Sequence, residues 1–109
     1  MRATIHLAPV GLMGISYRKG GQAVLVHSYR NGQYTKQATV AIPVLMEGAA
    51  AAEEMFDLTN NPGRQVEREE KYGRHRSVSV GDIIEVEEQP ELKSTWICEP
   101  SGWKRIDLL

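Results

Sequence analysis

The chain has a single cysteine, a single phenylalanine and two tryptophans among its 109 residues. One thiol, Cys98, permits no intramolecular disulfide and no zinc cage made of cysteines. Long apolar runs are missing as well, and nothing approaches the roughly 20 residues that a bilayer-spanning helix requires. Arg2 is not followed by the continuous apolar segment of a secretory signal. No membrane association is expected, and the setting is read as reduced and cytoplasmic. Charge of one sign is not in excess either, with 13 basic against 14 acidic side chains and a formal net charge of −1. That balance argues against a protein that coats nucleic acid through bulk charge.

Catalytic and ligand-binding patterns are equally scarce. His6, His27 and His75 fall on different predicted elements, and HxxxH, HExxH and CxxC are all missing, so no metal site is expected. Gly11-Leu12-Met13-Gly14 and Gly20-Gly21 lack the lysine of a phosphate loop and the spacing of a dinucleotide fingerprint, and they read as turns. Glu85 and Glu87, two apart on a predicted strand, share a solvated face that discourages edge pairing. Cys98, with no basic neighbour in sequence to lower its pKa, reads as a buried and inert thiol. No cofactor and no catalytic residue are expected, and the chain is read as a non-enzyme.

What is present is ordinary globular composition, 41% apolar and 25% charged, at a length suited to one domain with a modest core. Thr4 to Val10 alternates as a strand, and Leu12 to Arg18 fits a second. Ala23 to Tyr29 and Tyr34 to Ile42 are rich in Val, Tyr and Thr. Asn31-Gly32 between them predicts a β-hairpin with a type I′ turn. In that register Tyr29 faces Tyr34, a pair worth about 0.2–1 kcal/mol. From Leu45 the period changes: Leu45, Ala49, Ala52 and Phe56 share one helical face, and Asn60-Asn61-Pro62-Gly63 ends the helix. Gln65 to Tyr72 is charged nearly all round, a short helical turn or ordered loop. Ser77 to Val80 and Ile83 to Glu87 read as strands about a Gly81-Asp82 bend. Glu88 to Ser94 reads as a loop, Thr95 to Cys98 as a returning strand, and Trp103 to Leu109 as a last short one. The predicted fold is α+β: an antiparallel β-meander over 1–44, one Ala-rich helix over 45–61, a basic loop or short helix over 62–76, and a C-terminal β-arm over 77–109.

One surface feature stands out. Arg64, Arg68 and Lys71 follow at spacings of four and three, suited to one helical face, and Arg74, His75 and Arg76 add basic groups directly afterwards. Glu67, Glu69 and Glu70 are interleaved, so the patch is either a solvated face of local ion pairs or a binding surface. Arg74 and Arg76 are read as exposed, with charge reversal tolerated by the fold. Trp96 and Trp103 are core anchors or interface residues, and Trp103 joins the candidate interface. From Ser77 onward seven acids face three bases. A basic patch beside an acidic hairpin suits a polar protein surface, which uses both signs; a phosphate backbone uses only one.

FDLTNNPGRQVEREEKYGRHRSVSVGDIIEV, followed after a gap by WICEPSGWKRI, resembles the YodL-like domains of plasmids, integrative elements and phages. The matching positions are Phe56, Asn60, Pro62, Gly73, Arg76, Ser77, Ser79, Val80, Gly81, Asp82, Ile83, Ile84, Cys98, Gly102 and Trp103, and the resemblance covers somewhat under half of the chain. It implies an accessory protein of a mobile element in a bacterial host, in some cases close to antirestriction genes. The expected function is a non-enzymatic, stoichiometric inhibitor of a host defence system, of anti-CRISPR or antirestriction type. Its partner would be a host protein or effector complex, a nuclease among the candidates. The alternative is a nucleic-acid-binding accessory or regulatory protein using the same arginines. A homodimer is left open.

Overall fold

The computed structural model describes residues 1–12 and 14–108. Alternation along β1 (Arg2–Leu7) sends Ala3, Ile5 and Leu7 to one buried face. The strand pairs on both sides, with β2 (Thr35–Ala41) and β3 (Ile83–Gln89). Addition of β4 (Leu92–Glu99) and β5 (Gly102–Arg105) completes a five-stranded antiparallel sheet ordered β2-β1-β3-β4-β5. The expected α+β class is the one observed. Three helices accompany the sheet: α1 (Gly21–Arg30), α2 (Gly48–Asn60) and α3 (Gln65–Lys71).

Each helix that covers the sheet has its own core. α2 buries Ala51, Ala52, Met55 and Leu58 against Ala3, Ile5, Val40, Ile84 and Val86. The two alanines let the helix approach closely, and each fully buried Met or Leu contributes about 1.5–3 kcal/mol. On the opposite face α1 buries Leu25 and Val26 with Ile83, Ile97, Tyr34 and Ile106. The rest of that face stays open and polar around Thr4, Thr39, Glu85 and Lys93, with Arg2 paired to Glu87 at 2.9 Å. Trp103, partly buried, packs on the α2 cluster and donates its indole N–H to Glu53 at 2.8 Å.

Several expectations are corrected. Ala23–Tyr29 is no strand and the 1–44 region is no meander: those residues lie in α1, while the expected strand Leu12–Arg18 starts at the end of one 3₁₀ turn (Val10–Leu12) and contains another (Ile15–Tyr17), with Met13 outside the described residues. Burial of Leu25 and Val26 on one helical face overrides the β-propensity of the valines and Tyr29. Asn31-Gly32 ends the helix instead of turning a hairpin. The Gly32 N–H donates to the Tyr29 carbonyl at 3.0 Å and the Gln33 N–H to the Ser28 carbonyl at 3.0 Å. That is a Schellman cap, and Gly32 sits at φ +73° to make it. Tyr29 and Tyr34 still meet, edge to face at 5.6 Å, because the cap reverses the chain.

α2 begins at Gly48, not Leu45, and its buried stripe includes Ala51, Met55 and Leu58, while Leu45 is 86% exposed. Its end at Asn60 is as expected, as is a short helix over α3. Glu88–Ser94 is mostly ladder, with β3 and β4 joined across Pro90-Glu91. The last strand stops at Arg105, where Asp107 accepts the Thr95 N–H at 3.0 Å; Leu109 lies outside the described residues.

Val80 already lies in the turn closed by the Asp82 N–H donating to the Ser79 carbonyl at 3.0 Å, and Ser77–Ser79 belongs to no strand. Side chains replace its ladder. Thr59 Oγ1 accepts the Val78 N–H at 3.0 Å, Asn60 Nδ2 donates to the Val78 carbonyl at 2.8 Å, and Asp82 accepts the Ser79 N–H at 2.8 Å. Asp82, fully buried, also takes both Arg76 nitrogens at 2.7 and 2.8 Å and the Ala8 N–H at 2.7 Å. Its carbonyl accepts the Cys98 N–H, and Tyr34 Oη donates to the Gly81 carbonyl. Gly81 turns at φ +95° with Ser16 and Leu25 close to where a Cβ would stand. Removing one partner of a buried pair leaves an uncompensated charge. Arg76→Met should therefore lower unfolding free energy by about 3–5 kcal/mol in urea denaturation; a change within about 0.5 kcal/mol, typical of a surface position, would contradict the assignment.

Candidate functional site

The expected basic patch is taken apart by its own partners. Arg64 lies among three carboxylates, Glu54 at 2.7 Å, Asp57 at 2.9 Å and Glu67 at 2.7 Å, which hold its pKa above the usual arginine value. Lys71 pairs with the same Glu67 at 3.0 Å, and hydrogen bonds from Arg64 and then Lys71 keep the Glu67 carboxyl at about 2. Arg68 donates to the Thr59 carbonyl at 2.7 Å, to Ser77 Oγ at 3.1 Å and to the His75 carbonyl, and its guanidinium stands 5.8 Å from the Tyr72 ring. Arg76 is committed to Asp82, so the expectation that its charge could be reversed without harm to the fold does not survive. Lys71, Arg74 and His75 are the exposed members of the set. Arg74 is 88% exposed with Glu69 at 3.6 Å, and His75 packs edge-on against Tyr72. The arginines here are staples, not a free basic face.

The other candidates separate in space. His6 is half-buried against Tyr29, its Nε2 without a hydrogen-bond partner, and burial lowers its pKa. His27 Nε2 meets Asn31 Nδ2 at 2.9 Å. Among the described residues no cluster of three or more His, Cys, Asp or Glu side chains is placed to hold a metal ion. No helix among them is long and apolar enough to cross a membrane.

A different surface emerges around the 3₁₀ turns that precede α1. Val10 is 81% and Tyr17 68% exposed. Tyr17 and Gly14 form one wall of a cleft of about 300 Å³ whose other walls are Phe56, Asn60, Val78, Ser79 and Val80. Arg18 and Lys19 follow Tyr17, both exposed and without an ion pair among the described residues. Sequence reasoning missed this surface, although a signal for it exists. No Asp or Glu precedes Glu47, whereas Arg2, Arg18, Lys19, Arg30 and Lys36 do. A second, larger groove of about 540 Å³ lies between the start of α2 and the β3–β4 hairpin, with Leu45, Met46 and Trp96 beside Glu47, Glu88 and Arg105. Its arginine is already paired with Asp107 at 2.9 Å.

Cys98 is buried in β4. Burial first, then the nearby carboxylates of Asp82, Glu53 and Glu99, push its thiol up to about 12. The reactive thiolate is therefore scarce near neutral pH. The folded protein should resist a disulfide-exchange reagent at pH 7–8 and react only when denatured, read as thiol release by absorbance; rapid labelling of the folded form would overturn this.

Comparison of the chain with protein-family models, with curated proteins and with solved structures finds no significant match.

Proposed function

We propose that the chain is a non-enzymatic binding protein that docks on an acidic protein surface through the turns before α1. The observation that carries this reading is the exposed Tyr17, which walls an apolar cleft and is followed by two unpaired cations. Tyr and Arg are enriched at interface hot spots, where an aromatic anchor fills a pocket and charges fix orientation. The lack of any carboxylate before Glu47 favours a partner of opposite sign. The likeness of Phe56–Trp103 to YodL-like domains supports a phage or plasmid setting. There, a stoichiometric inhibitor of anti-CRISPR or antirestriction type would occlude a surface of a host effector complex or nuclease.

A nucleic-acid partner is the second reading, favoured by the same two exposed cations, Arg18 and Lys19. Salt separates the two, because phosphate binding weakens steeply with each released counterion.

The test is a tagged pull-down from bacterial lysate, split into nuclease-treated and untreated halves. One protein or complex captured in both halves is expected. Tyr17→Ala and Arg18→Glu should each weaken that capture by about 2 kcal/mol, roughly thirtyfold, without moving the thermal midpoint. Capture that disappears after nuclease supports the second reading. Capture indifferent to both substitutions sinks the proposed surface.

A further inference from the structure

The two ends of α2 carry unlike surfaces. At its C-terminal end Phe56 and Asn60 wall the cleft beside Tyr17, where Arg18 and Lys19 are exposed and have no ion pair among the described residues. At its N-terminal end lies the groove of about 540 Å³ whose lining includes Leu45, Glu47, Gly48, Glu88 and Trp96. The cleft and the groove share no lining residue.

The groove is acidic. Arg105, the one cation in its lining, is paired with Asp107 at 2.9 Å. The side chains of Glu47 and Glu88 have neither an ion pair nor a hydrogen bond among the described residues. Leu45 adds an apolar side chain that is 86% exposed. Trp96 is partly buried, and its indole N–H donates to Ser94 Oγ at 2.8 Å. That bond fixes the ring before anything binds, which lowers the ordering cost of association.

We infer that this groove receives the Tyr17 turn of a second copy of the chain. The inference rests on the Tyr17 surface of the proposed function and adds a control on it. Charge selects the occupant. Tyr17 is followed by two unpaired cations, and the chain has no carboxylate before Glu47; Glu47 and Glu88 supply the opposite sign. The phenol ring enters between Leu45 and Trp96, an aromatic anchor in a preformed pocket. A chain cannot fill its own groove, because Gly48 on one side and Phe56 and Asn60 on the other are separated by about 12–18 Å of helix. Self-association therefore withholds Tyr17 from any other partner, and the free chain is the form that docks.

The experiment is sedimentation velocity on the purified full chain over a range of protein and salt concentrations. The average mass should rise with protein concentration and fall towards that of one chain as salt screens the contact. Arg18→Glu and Glu47→Lys should each weaken self-association by roughly tenfold or more, since each sets like charges against one another. Tyr17→Ala should weaken it by roughly thirtyfold. An equimolar mixture of the Arg18→Glu and Glu47→Lys chains tests the contact directly. One keeps the groove and the other keeps the turn, so the mixture should form a 1:1 complex that neither forms alone. Glu88→Lys is a second groove variant with the same expectation as Glu47→Lys, and Lys93→Gln, in neither surface, should change nothing. Glu47→Lys retains the Tyr17 turn and should still capture the lysate partner. A wild-type chain that stays monomeric throughout, while capture through Tyr17 persists, overturns this inference and leaves the proposed function standing. A variant mixture that stays monomeric overturns it too, as does self-association that Glu47→Lys and Glu88→Lys leave unchanged.

Discussion

The pair between Arg76 and Asp82 is the contact on which the rest of the molecule depends. A carboxylate with a fully buried side chain is costly to desolvate, and attraction to one cation rarely repays the cost alone. Here the fork of Arg76 is joined by the backbone N–H groups of Ala8 and Ser79, so the anion is surrounded by donors. The arrangement joins the end of β1 to the approach to β3, and through the Asp82 carbonyl to β4. It also sits where the two cores exchange the chain. Leu7 belongs to the cluster under α2 and Ala8 to the cluster under α1, with the Ala8 amide held by Asp82 between them.

The neighbouring arginines follow the same logic. A planar guanidinium carries five donors in a rigid fork, which suits it to tying backbone carbonyls and carboxylates together at partly buried positions. Arg64 gathers α2 and α3 through Glu54, Asp57 and Glu67, and Arg68 links the end of α2 to the 75–77 segment. Most of the residues that carry the YodL-like resemblance around the SVGD turn belong to this framework: Asn60, Arg76, Ser77, Ser79, Gly81 and Asp82. Together they hold a segment that has no strand partner. Tyr17, Arg18 and Lys19 lie outside the stretch of resemblance, whereas Phe56, Asn60, Val78, Ser79 and Val80 of the cleft beside Tyr17 lie within it.

Much of the C-terminal half was legible because its signals are local. The alternation of Ile84 and Val86, the break at Asn60-Pro62 and the Ser101-Gly102 turn each specify their own backbone. The errors arose where one chemistry serves two geometries. Asn31-Gly32 supplies a left-handed glycine to a hairpin or to a helix cap, and only the burial of Leu25 and Val26 decides between them. Ser77–Val80 has a strand's pattern, but Thr59, Asn60 and Asp82 occupy the hydrogen-bonding groups a neighbouring strand would need. The basic patch misled for a related reason, since spacing reveals a shared face but not the acids folded against it. Asp82 and Arg76 are six residues apart, yet sequence alone gave no sign that both would turn inward. The acid-free stretch before Glu47 was visible in the sequence; it gains meaning only once α1 and its preceding turns are known to be exposed.

The sheet order carries a consequence for synthesis. Among the five strands β1 is made before the others, yet one of its two neighbours is β3, and the anion that fixes Ala8 lies 74 residues downstream. Neither half of the chain has a closed sheet of its own. While translation proceeds, the apolar side of β1 and α2 has no completed scaffold, and the first strand keeps an open hydrogen-bonding edge. Pairings of such wide sequence separation are slow to form and leave aggregation-prone surface exposed meanwhile. The native sheet is therefore complete only once β5 has been made. A ribosome stalled before residue 82 would display a chain that lacks three of the five strands and the carboxylate that holds the end of the first.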